Sequence, residues 1–377
     1  MKDDLVKPLG IRPKPRLRQQ PLYIAAGAVA AIAMLGVAAW TLMPAAKSPT
    51  ATAVINAPPV AKPAPLGTER TGSTVPADTA PLTDMKPTGG LTEVGGSNEV
   101  IIHAPGDDGP IQLAALPEND LVEKTPVGLL PRVAPSGTRP LDAYARPGVS
   151  DPNGEMRIAI VVGGLGLDPD GTREAIAELP GTVTLAFAPY GDNLPADTAA
   201  ARSTGHELLL QIPLEPFNYP QTNPGQNTLT SNATADENIG RLHWLMARMT
   251  NYVGVVNYMG AKFTSDIGPL APVMRDIGQR GLMYVDDGSS TRSRAAEVAG
   301  TTTPFVRADL VLDADLSAEA IDQSLSQLRA IARERGYAVA TATAFPITIE
   351  RIAEFAKQAA NKGITLVPIS ALAENHS

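Results

Sequence analysis

Three carboxylates stand where an acid/base pair would be needed. Glu215 follows the apolar run ELLLQI (207–212), and Asp286 and Asp287 sit together where LMYVD (282–286) ends. Two carboxyl groups flanking one sugar, one protonated and one ionised, are the machinery of glycoside hydrolysis. The competing reading is that they pair with Arg292 or Lys262, or accept backbone N–H bonds. A second candidate site is the glycine stretch RIAIVVGGLGLDPDG (157–171). Gly164 and Gly166 fit the first two positions of a dinucleotide loop, but the third falls on Pro169, and no G-K-[S/T] is present for a phosphate loop. Without the third glycine the helix cannot pack closely on the strand, so nucleotide binding is disfavoured.

The rest of the inventory narrows the chemistry. The chain has no Cys and only four His: His103, His206, His243 and His376. Disulfides, thiolate metal sites and Cys nucleophiles are excluded. His206 precedes a strand and His243 falls in a helical pattern, so neither reaches a catalytic mouth, and a Ser-His-Asp relay has no obvious base. The other mouth candidates are the amides Gln211 and Asn257, Arg292, Arg307 and Asp309. Tyr190, Phe217, Tyr219 and Tyr258 follow predicted strands. Rings at such positions either stack on sugar faces or pack the loops into a lid. The sequence predicts no cofactor and no metal.

Positioning these groups requires a scaffold. Eight β-rich runs are predicted at 158–162, 183–188, 207–212, 253–257, 282–286, 305–312, 338–342 and 364–368, with helical patterns between them. Thr172 is read as an N-cap for 172–179. Residues 234–249 place Ile239, Leu242, Leu245, Met246 and Met249 on one face. Ser317 and Gly336 bracket another helix, and Pro346 and Gly363 the last. This alternation predicts an α/β fold, an irregular (β/α) barrel of seven or eight strands, with a doubly wound open sheet as the alternative. In either, side chains at the carboxyl ends of the strands form the site.

The N-terminal part differs in kind. Residues 22–43 carry no charge and would span about 33 Å as a helix, near the ~30 Å bilayer core. Tyr23 and Trp40 flank the stretch, and Lys2, Lys7, Arg12, Lys14, Arg16 and Arg18 precede it. The expectation is a cytoplasmic tail (1–21), an uncleaved inner-membrane anchor (22–43) and a periplasmic remainder; a cleaved signal peptide is the alternative. Residues 44–150 hold one aromatic, Tyr144, and 17 of the 35 prolines, as a disordered tether would. Within it, 127–148 offers Leu129, Leu130, Val133 and Leu141 for docking on the domain at 151–373. The net charge of −8 disfavours nucleic acid as a partner.

The ordered set GHELLLQIPLEP, VGVVNYMGAKFT, GLMYVDDGSS and ITLVPIS resembles the divergent polysaccharide deacetylases, relatives of metal-dependent glycan deacetylases built on an irregular (β/α) barrel. The resemblance covers about 150–372. It implies Asp ligands at positions held here by Gly163 and Gly164, and His at those of Gln211, Tyr258 and Thr343. Glycine offers no side-chain ligand, and the others are poor ones, so the resemblance implies the fold but not the family's metal-dependent deacetylation. The expected ligand is cell-envelope glycan, held by Gln211, Asn257, Tyr258, Tyr190, Phe217, Tyr219 and Arg292. An active metal-free or unusually liganded hydrolase and a protein-interaction module are the alternatives.

Overall fold

The computed structural model describes residues 113, 114, 118–147 and 156–373. The expected tail, anchor and most of the tether lie outside these residues, as do His103 and His376. No helix among the described residues is long and apolar enough to cross a membrane.

A short hairpin, β1 (Val122–Thr125) and β2 (Gly128–Pro131), and a helical turn, α1 (Pro140–Tyr144), come first. Then strands and helices alternate: β3 (Met156–Leu165), α2 (Pro169–Glu178), β4 (Thr184–Phe187), α3 (Leu194–Ser203), β5 (Leu208–Leu214), α4 (Ala235–Met246), β6 (Gly254–Met259) and α5 (Ile267–Gln279). They continue through β7 (Met283–Asp286), α6 (Ala295–Ala299), β8 (Phe305–Arg307), β9 (Leu310–Val311), α7 (Ala318–Arg335), β10 (Tyr337–Thr343), α8 (Pro346–Ala359) and β11 (Ile364–Leu366). Nine of these strands form one curled parallel sheet, in the order β8-β7-β6-β5-β4-β3-β10-β9, with β11 also on β3.

Every β-rich run of the sequence becomes a strand, and one is divided. The run FVRADLVL pairs through β8 with β7 and through β9 with β10. Between them the Ala308 N–H donates to the Asp286 carbonyl and the Asp309 N–H to the Val339 carbonyl. A single segment thus ties the two ends of the curl together, which an open doubly wound sheet does not do.

Alternation along each strand explains the two apolar layers. Ile158, Ile160 and Val162 pack under the helices with Leu208, Leu210 and Tyr284. Ala159 and Val161 turn the other way, into the curl, with Ala186, Leu209, Val285 and Val339. Strands buried on both faces read as nearly unbroken apolar runs, which is why they stood out.

Helix starts follow their caps. Asp168 caps α2 by accepting the Gly171 N–H (2.9 Å), and Pro169 takes the first helical position. The helix therefore begins before the expected cap, Thr172. The Thr172 hydroxyl instead donates to the Asp168 carbonyl and accepts the Gly166 N–H. Thr234 and Glu237 form a reciprocal capping box on α4. Ser317 caps α7, and Gly336 ends it in the left-handed region.

Residues 118–147 pack on the amino end of the sheet. Leu121, Ala134, Leu141 and Tyr144 are buried against Ala159, Leu209, Met283 and Ile369. Leu130 is buried with the helical layer, while Leu129 and Val133 are half-buried. Fully burying one Leu contributes about 1.5–3 kcal/mol, so this arm closes that end firmly. Arg202, 1% exposed, donates to the Tyr144 carbonyl (2.7 Å) and the Ala114 carbonyl (3.1 Å). Glu207 accepts N–H bonds from Arg146 (2.7 Å) and Ser370 (3.2 Å) and the Ser370 hydroxyl. His206 is buried in the same layer, its Nδ1 on the Val183 carbonyl (2.7 Å), and burial lowers its pKa. His243 meets Asp276 (3.1 Å) between α4 and α5. Neither histidine approaches the opposite end.

Candidate functional site

At the carboxyl ends of the strands lies an open cavity of about 560 Å³. Its floor is built by strand alternation. Gly163 follows Ala159 and Val161 on the inward face of β3, Gln211 follows Leu209 on β5, and Thr341 and Thr343 follow Val339 on β10. Thr343 stands in register with Gly163.

The two glycines lie inside β3, not beyond its end as the sequence suggested. The β3–β4 register shifts between Val162 and Leu165, and Gly164 has φ +83°. Gln211 explains the local shape. Its Oε1 accepts the Gly164 N–H at 2.8 Å. A Cβ on Gly163 would lie 2.6 Å from Gln211 Nε2. The carboxamide therefore fills the space that a side chain at 163 would take, and β4, which lies between, lines the cavity only with the small Ala186, followed by Ala188 just past its end.

Asn257 and Asp287 form the next wall. Asn257 Oδ1 accepts the Asp287 N–H (3.0 Å), and its Nδ2 donates to the Met259 carbonyl (2.8 Å). The Thr341 hydroxyl donates to the Asp287 carbonyl (2.9 Å). The Asp287 carboxylate accepts the Ser289 N–H (2.9 Å) and hydroxyl (2.7 Å) through the same oxygen. Burial raises its pKa, and neighbouring Asp286 adds to the rise. Buried Asp313 accepts the Thr343 N–H (2.7 Å) and the Thr348 hydroxyl (3.3 Å), fixing the end of β10 against α8.

The rim is apolar. Tyr258 (43% exposed), Phe345 (42%) and Leu167 (59%) project beside half-buried Tyr190. The Tyr190 hydroxyl donates to the Gln226 carbonyl, and burial pushes its pKa up to about 12.

Other expected members do not line the cavity. Glu215 is buried, with one oxygen on Lys262 Nζ (2.7 Å) and the other on the Ser231 N–H (2.6 Å). Burial pushes its pKa up, but the Lys262 and Ser231 bonds outweigh this and hold it below the usual value. Asp286 turns away, accepting the Gly288 N–H (3.0 Å) and the Ser293 hydroxyl. Glu215 and Asp286 are thus held in place by their own partners. Arg292 lies over the exposed Phe217 ring (5.4 Å), so each takes up the other. Tyr219 belongs to the same turn, its N–H on the Pro216 carbonyl (3.2 Å). Arg307 donates to the Ser290 carbonyl (2.7 Å), and Asp309 pairs with Arg335 (2.6 Å). Sequence reasoning missed Phe345, Leu167, Asp168 and Ser289. For Phe345 a signal existed: it lies between the end of a strand and Pro346, where the chain must turn at the mouth.

A curled parallel sheet with its cavity at the strand carboxyl ends defines an α/β protein of barrel type. A model of the divergent polysaccharide deacetylase family matches residues 160–373, and the chain belongs to that family. It is 25% identical over 219 residues to the uncharacterized protein YibQ of Escherichia coli K12, covering 57% of this chain and 67% of YibQ. The crystal structure of the uncharacterized protein ATU2773 from Agrobacterium tumefaciens C58 is similar over 65% of this chain and 99% of that one. The identity is 47% and the TM-score 0.63.

The residues present do not fit the metal of the glycan deacetylases. Gly163, Gly164, Gln211, Tyr258 and Thr343 supply no carboxylate and no imidazole. Among the described residues no group of three or more His, Cys, Asp or Glu could hold a metal ion. A catalytic zinc needs about three such ligands. The space beside Gly163 is moreover filled by the Gln211 carboxamide.

Proposed function

We propose that this protein binds cell-envelope glycan in the cavity and does not carry out metal-dependent deacetylation. The observation that carries the reading is a polar floor under an aromatic rim: Gln211, Asn257 and Asp287 below Tyr190, Tyr258 and Phe345. Sugars present that pattern in reverse, with hydroxyls and amides at the ring edge and apolar C–H faces. Gln211 spends its oxygen on the Gly164 N–H, leaving its NH₂ to donate to a ligand. Tyr258 and Phe345, with their rings exposed, can stack on a sugar face. Anchoring by 22–43, with the domain on the periplasmic side, belongs to the same proposal and is supported by the uncharged stretch and the preceding basic residues.

Hydrolysis through two carboxylates has less support. Glu215 is held by Lys262, and Asp286 by Gly288 and Ser293, which leaves Asp287 without either proposed partner in the cavity.

The test is retention of the full-length protein on insoluble N-acetylated glycan, together with an acetate assay with and without added zinc. Retention that Tyr258→Ala weakens, with no acetate released, is the expected result. Zinc-dependent acetate release would overturn the reading. The topology is checked separately by protease access to a tag placed after residue 43 in spheroplasts; a protected tag contradicts the periplasmic assignment.

A further inference from the structure

We propose that the cavity selects a cationic glycan, a hexosamine whose amine is free rather than acetylated; the inference rests on the glycan-binding reading above. The charge of the walls leads to it. Among the described residues no Lys, Arg or His lines the cavity, whereas Asp168 and Asp287 do. Asp168 is committed to the first turn of α2, where the Asp170 and Gly171 N–H groups and the positive end of the helix compensate it. Asp287 has no such compensation. The groups that stabilise its carboxylate, the Ser289 N–H and hydroxyl on one oxygen and the Asn257 side chain, are all neutral, and it forms no ion pair among the described residues. The basic side chains of neighbouring loops are engaged elsewhere: Lys262 with Glu215, Arg307 with the Ser290 carbonyl, Arg292 over Phe217.

The surroundings amplify that single charge. Val161, Ala186, Val256 and Val311 wall the cavity, so the local dielectric lies below that of water and the field of a carboxylate reaches further. A ligand carrying phosphate or carboxylate is repelled. A neutral acetamide can donate one N–H to Asp287. A protonated amine has three N–H donors and also brings the opposite charge, so the charge-assisted bond becomes an ion pair. The Tyr258 and Phe345 rings suit the same ligand, since an aromatic face attracts both a sugar's C–H surface and a cation.

The experiment is calorimetric titration of the full-length protein with two probes. One is the β-1,4-linked glucosamine tetramer, at a pH where its amines are protonated; the other is its fully N-acetylated counterpart. The expected result is about ten-fold tighter binding of the free-amine tetramer, weakened by added salt. Asp287→Asn, which keeps an oxygen for Ser289, should bring both tetramers to the same affinity. Equal affinities in the wild type, tighter binding of the acetylated tetramer, or a preference that survives Asp287→Asn each overturn the proposal while leaving glycan binding intact. Failure of both tetramers to bind overturns glycan binding and this inference together.

Discussion

The two ends of the curled sheet handle polar groups in opposite ways. At the amino end Glu207 and Arg202 are fully buried; Arg202 is bonded to Tyr144 and Ala114, and Glu207 to Arg146 of the arm and to Ser370 of the C-terminal turn. Burial raises the pKa of Glu207, against the pull of Ser370 and Arg146, and lowers that of Arg202 to about 10. At the carboxyl end the Asp287 carboxylate is met by neutral donors only, chiefly Ser289, the floor holds two glycines, and large apolar side chains face solvent. One end ties its polar groups into the fold; the other leaves side chains facing the cavity, where the proposed ligand would sit. Substitutions should therefore split by end: loss of folding at the first, loss of binding at the second.

The largest expected effect is at the closed end. Glu207→Ala strands the Arg146 and Ser370 N–H groups and opens a void, costing about 3–5 kcal/mol in urea unfolding. A loss below 1 kcal/mol would mean that the network is not what holds the arm. Next comes Gly163→Ala. Its methyl group must displace Gln211 and break the bond to Gly164, for about 1–2 kcal/mol. With Gln211→Ala in the same chain the penalty should fall, giving a coupling energy near 1 kcal/mol in a double-mutant cycle. Strict additivity would show that the two sites do not compete for space.

Tyr258→Ala should leave stability within about 0.5 kcal/mol, because the ring is already exposed, yet weaken glycan binding about five- to ten-fold. The smallest effect is Asp287→Asn. A carboxylate whose pKa rises on folding loses stability as pH climbs from its ordinary value through the raised one. Removing that charge should raise Tm at neutral pH by about 2 °C. The gain should vanish in acid, where Asp287 is protonated folded or unfolded. A lowered Tm at neutral pH would contradict the assigned direction.

Much of this contrast was legible in the sequence, and strand alternation shows where and why. Val285 faces into the curl, so residue 287 faces in and Asp286 turns out with Tyr284. Counting by two resolves a pair of aspartates that composition leaves equivalent. The same rule places Gly163 from Val161, and Gln211 from Leu209. It fails for Glu215, which has the inward parity of Gln211 but lies past the end of β5 and is captured by Lys262, 47 positions on. The division of 305–312 between two strands was equally hidden, because periodicity reports burial and not which strand is the partner. Thr172 fits a cap by residue type, with Glu174 in the turn that follows. The Asp168–Pro169 pair makes the better start, since a carboxylate accepts N–H bonds and proline already has the helical φ.

Whether the mouth binds glycan with its own side chains and without a metal is decided by one titration. The full-length protein, treated with chelator, is titrated calorimetrically with an N-acetylhexosamine tetramer before and after zinc is restored. The expected result is saturable one-to-one binding with the same affinity in both states. Binding that appears only when zinc is restored would contradict it.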